Sequence, residues 1–165
     1  MGRIGEAVAM RARGFAMNLL YHNRRRKPEA EERTGAKWVS LETLLQESDH
    51  VILLTPLTAE TRHLMGEREF SLMKPSAVFV NVSRGATVDE SALYRALAEN
   101  KIWAAGLDVF QQEPVSPDHP LLRLPNVVAL PHIGSATVQA RTEMARLAAA
   151  NIAAVLAGKE PLTPV

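Results

Sequence analysis

Three residues suited to acid–base or anion-binding chemistry, Arg84, Glu113 and His132, each follow a short apolar segment. Apolar, β-branched runs of this length are typical of strands buried on both faces in a parallel sheet. In open α/β sheets, ligands bind beyond the carboxyl ends of the strands. The sequence therefore predicts that these three side chains meet at one edge of a sheet.

An arginine, a carboxylate and a histidine together can reduce a carbonyl that lies next to a carboxylate. The guanidinium fork matches a substrate carboxylate and polarises the neighbouring carbonyl. A carboxylate beside His132 would keep its tautomer and favour the protonated ring, which can then donate a proton. These groups suit reduction of a 2-oxo acid by a nicotinamide.

Each of these residues also has an ordinary interpretation. Most loop arginines are solvated. Most histidines are surface or structural residues, and the chain has four histidines besides His132, at positions 22, 50, 63 and 119. The combination of Arg84, Glu113 and His132 favours a site over three unrelated surface residues.

The first residues match the second half of a dinucleotide-binding motif. Gly2 and Gly5 have the spacing of the back half of G-x-G-x-x-G, at the start of a predicted helix over Glu6–Arg13 that Gly14 ends. In a complete motif this helix start receives a pyrophosphate. Glycines are also common at ordinary helix starts. The first glycine and its strand are absent, so we expect the sequence to begin inside the motif.

Consecutive cations, Arg24 to Lys27, follow the predicted strand Met17–Tyr21. They lie about twenty residues past the glycines, where dinucleotide-binding folds usually place an Asp or Glu on the ribose hydroxyls. Arginines there would pair with a 2′-phosphate that a carboxylate would repel. The run favours NADP(H), with NAD(H) possible and a solvated basic loop as the ordinary alternative.

Strands alternate with helices through the remaining sequence. Further predicted strands are Trp38–Val39, Val51–Leu54, Ala77–Val82, Ile102–Phe110 and Val127–Leu130. Predicted helices are Leu41–Glu47 after an N-cap at Ser40, Glu90–Asn100 after an N-cap at Asp89, and a long Val138–Ala157. Short helical turns are predicted at Thr61–Leu64 and Glu67–Met73, and a short helix or loop at Glu29–Glu32. This alternation indicates an α/β fold, a Rossmann-like doubly wound parallel sheet that lacks its first strand and has a long C-terminal helix.

Composition narrows the class of protein. The 165 residues include 19 basic and 18 acidic side chains, so charge gives no reason to expect a nucleic-acid or membrane partner. The absence of cysteine excludes disulfides and thiolate metal sites. No membrane span or signal peptide is recognisable, and a cytoplasmic protein is expected.

Five blocks resemble the D-isomer-specific 2-hydroxyacid dehydrogenases. They are Gly2–Gly5, Asn81–Gly85, Gly106–Phe110, Glu113–Pro114 and Pro131–Thr137, and their order and spacing cover nearly the whole chain. Within that family the arginine-rich loop and the block after Pro131 are most similar to glyoxylate/hydroxypyruvate reductases. Relatives acting on phosphoglycerate, lactate, formate or phosphite share most of these blocks and remain alternatives.

The resemblance implies roles for individual residues. Arg84 would hold the substrate carboxylate and carbonyl, His132 would donate the proton, and Glu113 would be its partner. The implied cofactor-binding residues are Gly2, Arg3, Ile4, Asn23, Arg24, Arg25, Arg26, Thr55, Pro56, Val82, Ser83, Asp108, His132 and Gly134, and the substrate would contact Arg84, His132 and Ser135.

It also implies a nucleotide-binding domain over residues 1–136, truncated at its N-terminus, and a helix over residues 137–165 that crosses toward a substrate domain lacking here. A homodimer through the nucleotide-binding domain is implied, and the chain alone is expected to be nearly inactive. A different class is a non-catalytic dinucleotide sensor, since some relatives of this fold act as co-repressors. The complete catalytic set argues against it, because a sensor needs no proton donor.

Overall fold

The chain has two units, and the first contains two parallel sheets. The computed structural model describes residues 1–164, with one unit from Met1 to Pro131 and a second that begins at His132. The strands are β1 (Leu20–Tyr21), β2 (Lys37–Trp38), β3 (His50–Leu53), β4 (Val78–Asn81), β5 (Ala104–Leu107) and β6 (Val127–Ala129). One sheet pairs β1 with β2, and the other has the order β3-β4-β5-β6.

Helices connect the strands, so the predicted α/β alternation is confirmed. They are α1 (Arg3–Ala12), α2 (Pro28–Thr34), α3 (Leu41–Glu47), α4 (Glu67–Leu72), α5 (Glu90–Ala98) and, in the second unit, α6 (Val138–Leu156). Short 3-10 turns occupy Arg13–Phe15, Gly85–Thr87 and Pro120–Arg123. Within residues 1–164, no helix has the length and apolar character needed to cross a bilayer.

One face of the four-stranded sheet carries the core. Its buried residues are Val51, Leu53, Phe79, Ala105 and Leu107, which form one cluster with apolar side chains of α3, α4 and α5. Phe79 meets Phe70 of α4 edge to face, with ring centroids 5.3 Å apart. On the opposite face Ile52 is 42% exposed. The strands were expected to be buried on both faces, but burial alternates along them because these three helices pack on one side.

Side-chain caps set the starts of two helices as predicted. The Ser40 hydroxyl oxygen accepts the Thr43 N–H at 3.0 Å before α3. Before α5, Asp89 accepts N–H groups from Ser91 and Ala92 at 2.9 and 3.1 Å. Each cap satisfies backbone donors that have no partner inside the helix, which fixes the residue at which the helix begins.

One local prediction is wrong and another is confirmed. Gly14 does not end the first helical segment, because the chain continues through a 3-10 turn and Ala16 adopts the left-handed conformation that closes it, at φ 54°. The sequence predicts short helical turns over Thr61–Leu64, and hydrogen-bonded turns are found there, with the Arg62 N–H donating to the Thr58 carbonyl at 3.0 Å. There the Thr61 hydroxyl donates to the Pro56 carbonyl at 2.6 Å, so a polar side chain organises the backbone locally.

The strands β1 and β3 each pair along one edge only in the described residues. Unpaired strand edges expose N–H and C=O groups that can pair with another chain.

We therefore expect the isolated 165-residue chain to self-associate. Ile52 lies on β3 and is exposed, so Ile52→Lys should shift the population toward monomer by placing a charge beside the unpaired edge. Sedimentation velocity over a range of concentrations measures this shift. Trp103→Lys, at a residue 66% exposed and outside the strands, is the matched control. A strictly monomeric parent chain with a sharp, high-temperature melt would contradict the expectation.

Candidate active site

Buried polar side chains hold the loop that presents Arg84. The Asn81 side chain, only 1% exposed at the end of β4, accepts the backbone N–H and the hydroxyl of Ser83 at 3.0 and 2.8 Å. Its amide donates to the Arg84 carbonyl at 3.2 Å, and the buried Thr87 hydroxyl donates to the same carbonyl at 2.6 Å. The backbone of Arg84 is therefore fixed by side chains that have no access to competing water.

A close backbone approach explains the glycine that follows Arg84. A Cβ placed on Gly85 would overlap the backbone of Phe110 and Gln111, in the turn after β5. Only glycine allows two backbone segments to come this near. The Arg84 loop is thus held directly against the turn that leads to Glu113.

The Arg84 side chain reaches the surface, where Nη1 donates to the Ser83 carbonyl at 2.7 Å. A guanidinium carries five N–H groups, so this bond leaves donors for a bidentate carboxylate. Val82, which precedes the loop, is 43% exposed at the same edge of the sheet.

The turn after β5 anchors Glu113. Its Oε1 accepts the Phe110 N–H at 3.0 Å. Asp108 is buried, and its backbone N–H donates to the Asn81 carbonyl at 3.0 Å, so the ends of β4 and β5 stay in register beyond the strands. The first unit therefore brings the Arg84 loop and the Glu113 turn together, both held against Phe110.

The N-terminus of α1 forms the second part of the site. Gly2 is the N-cap residue, in extended conformation and with no side-chain cap, and a cavity of about 510 Å³ is lined by Gly2, Arg3, Ile4, Gly5 and Leu54. Thr55, which follows Leu54, has a buried hydroxyl without a hydrogen-bond partner among the described residues. Unsatisfied helix N–H groups and a hydroxyl suit an anionic group such as a pyrophosphate. Pro56, next in sequence, is exposed.

The basic loop lies next to this helix start, because the Asn23 side-chain amide donates to the Met1 carbonyl at 3.3 Å. The side chains of Arg24 and Arg25 are exposed, and neither forms an ion pair among the described residues. Arg26 differs, since its Nε and Nη2 both donate to the Glu31 carboxylate at 2.8 Å. Two of the three arginines therefore present their charge to solvent.

His132 lies in the second unit, while Arg84 and Glu113 lie in the first. It is exposed and has a left-handed backbone, with φ 54°. Such conformations are uncommon for residues with a side chain and concentrate at functional sites. Gly134 and Ser135, also exposed, lie in a turn closed by the Ala136 N–H on the Ile133 carbonyl at 2.9 Å. That His132 acts together with Arg84 and Glu113 stays a prediction.

Sequence reasoning missed the residues that support the site. From the sequence, Asn81 was placed in a block that resembles the family and Ser83 among the cofactor-binding residues, but neither their bonds to the Arg84 loop nor the part of Thr87 was identified, and the ion pair of Glu31 with Arg26 was not foreseen. Short polar residues at the end of an apolar strand were the available signal for the first group. Among residues 1–164, no group of His, Asp and Glu side chains is arranged to hold a metal ion.

The Glu31 carboxylate predicts a pH dependence of stability. Hydrogen bonds from Arg26 and then from the Tyr21 hydroxyl lower its pKa from 4.5 to about 2. Because the folded-state pKa is depressed, the stabilisation is present above about pH 4.5 and is lost as the pH falls toward 2. Glu31→Gln should lower the melting temperature at pH 7, and the difference from the parent should shrink in acid. Thermal melts from pH 7 to pH 2.5 measure this.

Glu32→Gln, on the same helix, is the control for that series and should leave the melting temperature nearly unchanged. A Glu31→Gln deficit that stays constant through acid would show that the lost stability does not come from the ionised carboxylate.

Comparisons with known proteins show which family this chain resembles. The model of the D-isomer specific 2-hydroxyacid dehydrogenase, NAD binding domain, matches residues 1–134. Glyoxylate/hydroxypyruvate reductase B of Salmonella newport is 57% identical over 160 residues, which are 96% of this chain and 49% of that protein. The chain spans about half the length of the curated relatives it matches.

Solved structures show the same fold. An NADPH-dependent glyoxylate/hydroxypyruvate reductase of Sinorhizobium meliloti, in complex with NADP and malonate, has a TM-score of 0.91 at 40% identity, over 99% of this chain and 50% of that one. A D-lactate dehydrogenase with NAD⁺ from Lactobacillus jensenii has a TM-score of 0.91 at 29% identity, over 100% of this chain and 53% of that one. The similar structures thus include one in complex with NADP and one with NAD⁺.

Proposed function

Since the chain belongs to the D-isomer specific 2-hydroxyacid dehydrogenase family, we propose that it forms the nucleotide-binding part of an NADPH-dependent reductase of glyoxylate or hydroxypyruvate. The observation that carries this proposal is the joint anchoring of the Arg84 loop and the Glu113 turn against Phe110. That anchoring, at the carboxyl ends of neighbouring parallel strands, supports a site in which Arg84 would bind a substrate carboxylate and Glu113 would act close by.

The cofactor-binding residues are proposed to act in three groups, of which the third is the basic loop with Asn23, Arg24, Arg25 and Arg26. The uncapped start of α1, with Gly2, Arg3 and Ile4, would receive the pyrophosphate through backbone N–H groups and the positive end of the helix dipole. A second group follows the strands of the first unit, at Thr55, Pro56, Val82, Ser83 and Asp108, and His132 and Gly134 of the second unit are also proposed to contact the cofactor. When bound, NADPH would supply the hydride that adds to the carbonyl carbon.

Three side chains would carry the rest of the reaction. Arg84 would bind the substrate carboxylate and stabilise the oxygen as negative charge develops on it. His132 would donate a proton to that oxygen and so complete the hydroxyl group of the proposed D-2-hydroxy acid, and Ser135 would contact the substrate. Glu113 would favour the protonated form of His132 and so maintain the acid near neutral pH.

The basic loop supports NADPH. Arg24 and Arg25 have exposed side chains next to Asn23, which is bonded to the backbone at the start of α1. A 2′-phosphate near this point would form charge-assisted hydrogen bonds with them. Arg26 would contribute less, because Glu31 already neutralises it.

Related functions stay open as alternatives. A phosphoglycerate or lactate dehydrogenase would use the same three catalytic groups. The similarity to a D-lactate dehydrogenase supports lactate oxidation as one of these alternatives. A non-catalytic dinucleotide-binding module would need no proton donor at His132. A homodimer through residues 1–136 and a cytoplasmic location are further proposals for the whole protein.

Kinetics of a hybrid enzyme test the mechanism. In the hybrid, this chain replaces the matching half of the Salmonella newport reductase. His132→Ala should lower kcat by about 10²- to 10⁴-fold with little change in KM, because proton donation operates in the transition state. Arg84→Ala should impair both kcat and KM, because its contact already exists in the bound substrate.

The pH profile tests Glu113. Without its negative charge His132 would lose its proton at lower pH, so Glu113→Gln should move the alkaline fall of kcat to lower pH. His50→Ala, at an exposed histidine on β3, is the control and should keep parent kinetics. Parent-like turnover of His132→Ala would refute the mechanism.

Cofactor preference provides a separate test in the same hybrid. Arg24→Asp and Arg25→Asp should each shift the ratio of kcat/KM for NADPH and NADH toward NADH by at least tenfold, since charge-assisted hydrogen bonds contribute about 1.5–3 kcal/mol. Arg26→Ala should shift it less. Arg11→Asp, at an exposed arginine bonded within α1, is the control. Equal use of both cofactors by the unsubstituted hybrid would contradict the assignment to NADPH.

A further inference from the structure

A carboxylate that the proposed mechanism does not use holds the turn after β5. Glu90 is the first residue of α5, and its side chain is 17% exposed. Its Oε1 accepts the backbone N–H of Gln111 at 2.7 Å, and its Oε2 lies 3.2 Å from Nε2 of His119. Both carboxylate oxygens are therefore engaged by groups that are distant in sequence.

The tautomer of His119 determines which group donates in its hydrogen bond with Glu90. Its Nδ1 accepts the Leu121 N–H at 3.4 Å, so a neutral ring carries its proton on Nε2 and donates it to Glu90. The same ring packs edge to face against Phe110, with centroids 5.6 Å apart and planes at 72°. His119 thus orients the Glu90 carboxylate and also contacts the turn that the carboxylate holds.

Two consecutive N–H groups of this turn bind two different carboxylates. The Phe110 N–H donates to Glu113 at 3.0 Å, and the next one, from Gln111, donates to Glu90 at 2.7 Å. The Gln111 side chain adds a bond from Nε2 to the Val88 carbonyl at 2.8 Å. These two N–H groups belong to adjacent peptide planes that meet at the Cα of Phe110, so a rotation that frees Gln111 from Glu90 changes the backbone dihedral angles at Phe110.

We infer that Glu90 is a positioning residue for Glu113, acting through the Phe110–Gln111 turn and oriented by His119. This inference rests on the proposed function, in which Glu113 favours the protonated form of His132. The close approach of Gly85 restrains the turn from the other side, and Glu90 sets its rotation. Loss of Glu90 would then misplace the Glu113 carboxylate although no reacting group is removed.

The pH profile of the hybrid enzyme tests the inference. Glu90→Ala should lower kcat about tenfold, as expected for loss of one hydrogen bond to a charged group, and leave KM nearly unchanged. It should also move the alkaline fall of kcat to lower pH, in the direction of Glu113→Gln. The double variant should show no further shift beyond Glu113→Gln, because both changes act on one carboxylate.

Conservative and matched variants separate positioning from loss of stability. Glu90→Gln keeps an oxygen for the Gln111 N–H, so its pH profile should lie closer to the parent than that of Glu90→Ala. Glu67→Ala removes an exposed carboxylate, paired with Arg95, from the first position of α4 and should leave the pH profile of kcat unchanged. A Glu90→Ala enzyme with lowered melting temperature and an unshifted profile would overturn the inference.

Amide hydrogen exchange of the hybrid supplies a readout besides activity. Glu90→Ala should accelerate exchange at both Gln111 and Phe110, because the bond from the Phe110 N–H to Glu113 depends on the bond from the Gln111 N–H to Glu90. Acceleration at Gln111 alone would overturn the inference. An unchanged profile for Glu113→Gln would instead refute the role proposed for Glu113, while the exchange rates would still decide whether Glu90 holds the turn.

Discussion

The close approach of Gly85 to the backbone of Phe110 and Gln111 is the constraint on which the site depends. It brings the loop after β4 into direct contact with the turn after β5, so that no side chain separates them. Arg84 lies at one border of this contact, and Glu113 is tied to the other through the Phe110 N–H. The relative position of two charged residues is therefore set by main-chain packing, which is stiffer than any surface ion pair.

Buried polar groups make this packing specific. Asn81, Ser83 and Thr87 have lost their water, and such groups are tolerated only when hydrogen-bonded. Their donors and acceptors satisfy one another and the Arg84 carbonyl, which leaves a single arrangement of the loop. An apolar strand end of the same size would pack as well but would not specify where Arg84 points.

Electrostatics divides the basic loop into two parts. Arg26 is paired with Glu31, and the Tyr21 hydroxyl donates to the same carboxylate at 2.8 Å, so this arginine stabilises the loop. Arg24 and Arg25 keep their exposed charges next to the uncapped start of α1. A helix N-terminus and neighbouring guanidinium groups both attract anions, and together they form the electropositive end of the first unit.

The sequence by itself determined the α/β alternation, the N-caps at Ser40 and Asp89, and the strand-end position of Arg84, since each follows from neighbouring residues. Only the tertiary structure decided that Arg26 pairs with Glu31 and that Glu90 binds the Gln111 N–H, 21 positions away. It also decided that the strands bury one face in the first unit. Hydrophobic runs and caps are local patterns, whereas the partner of a charged side chain depends on which loops the fold brings together.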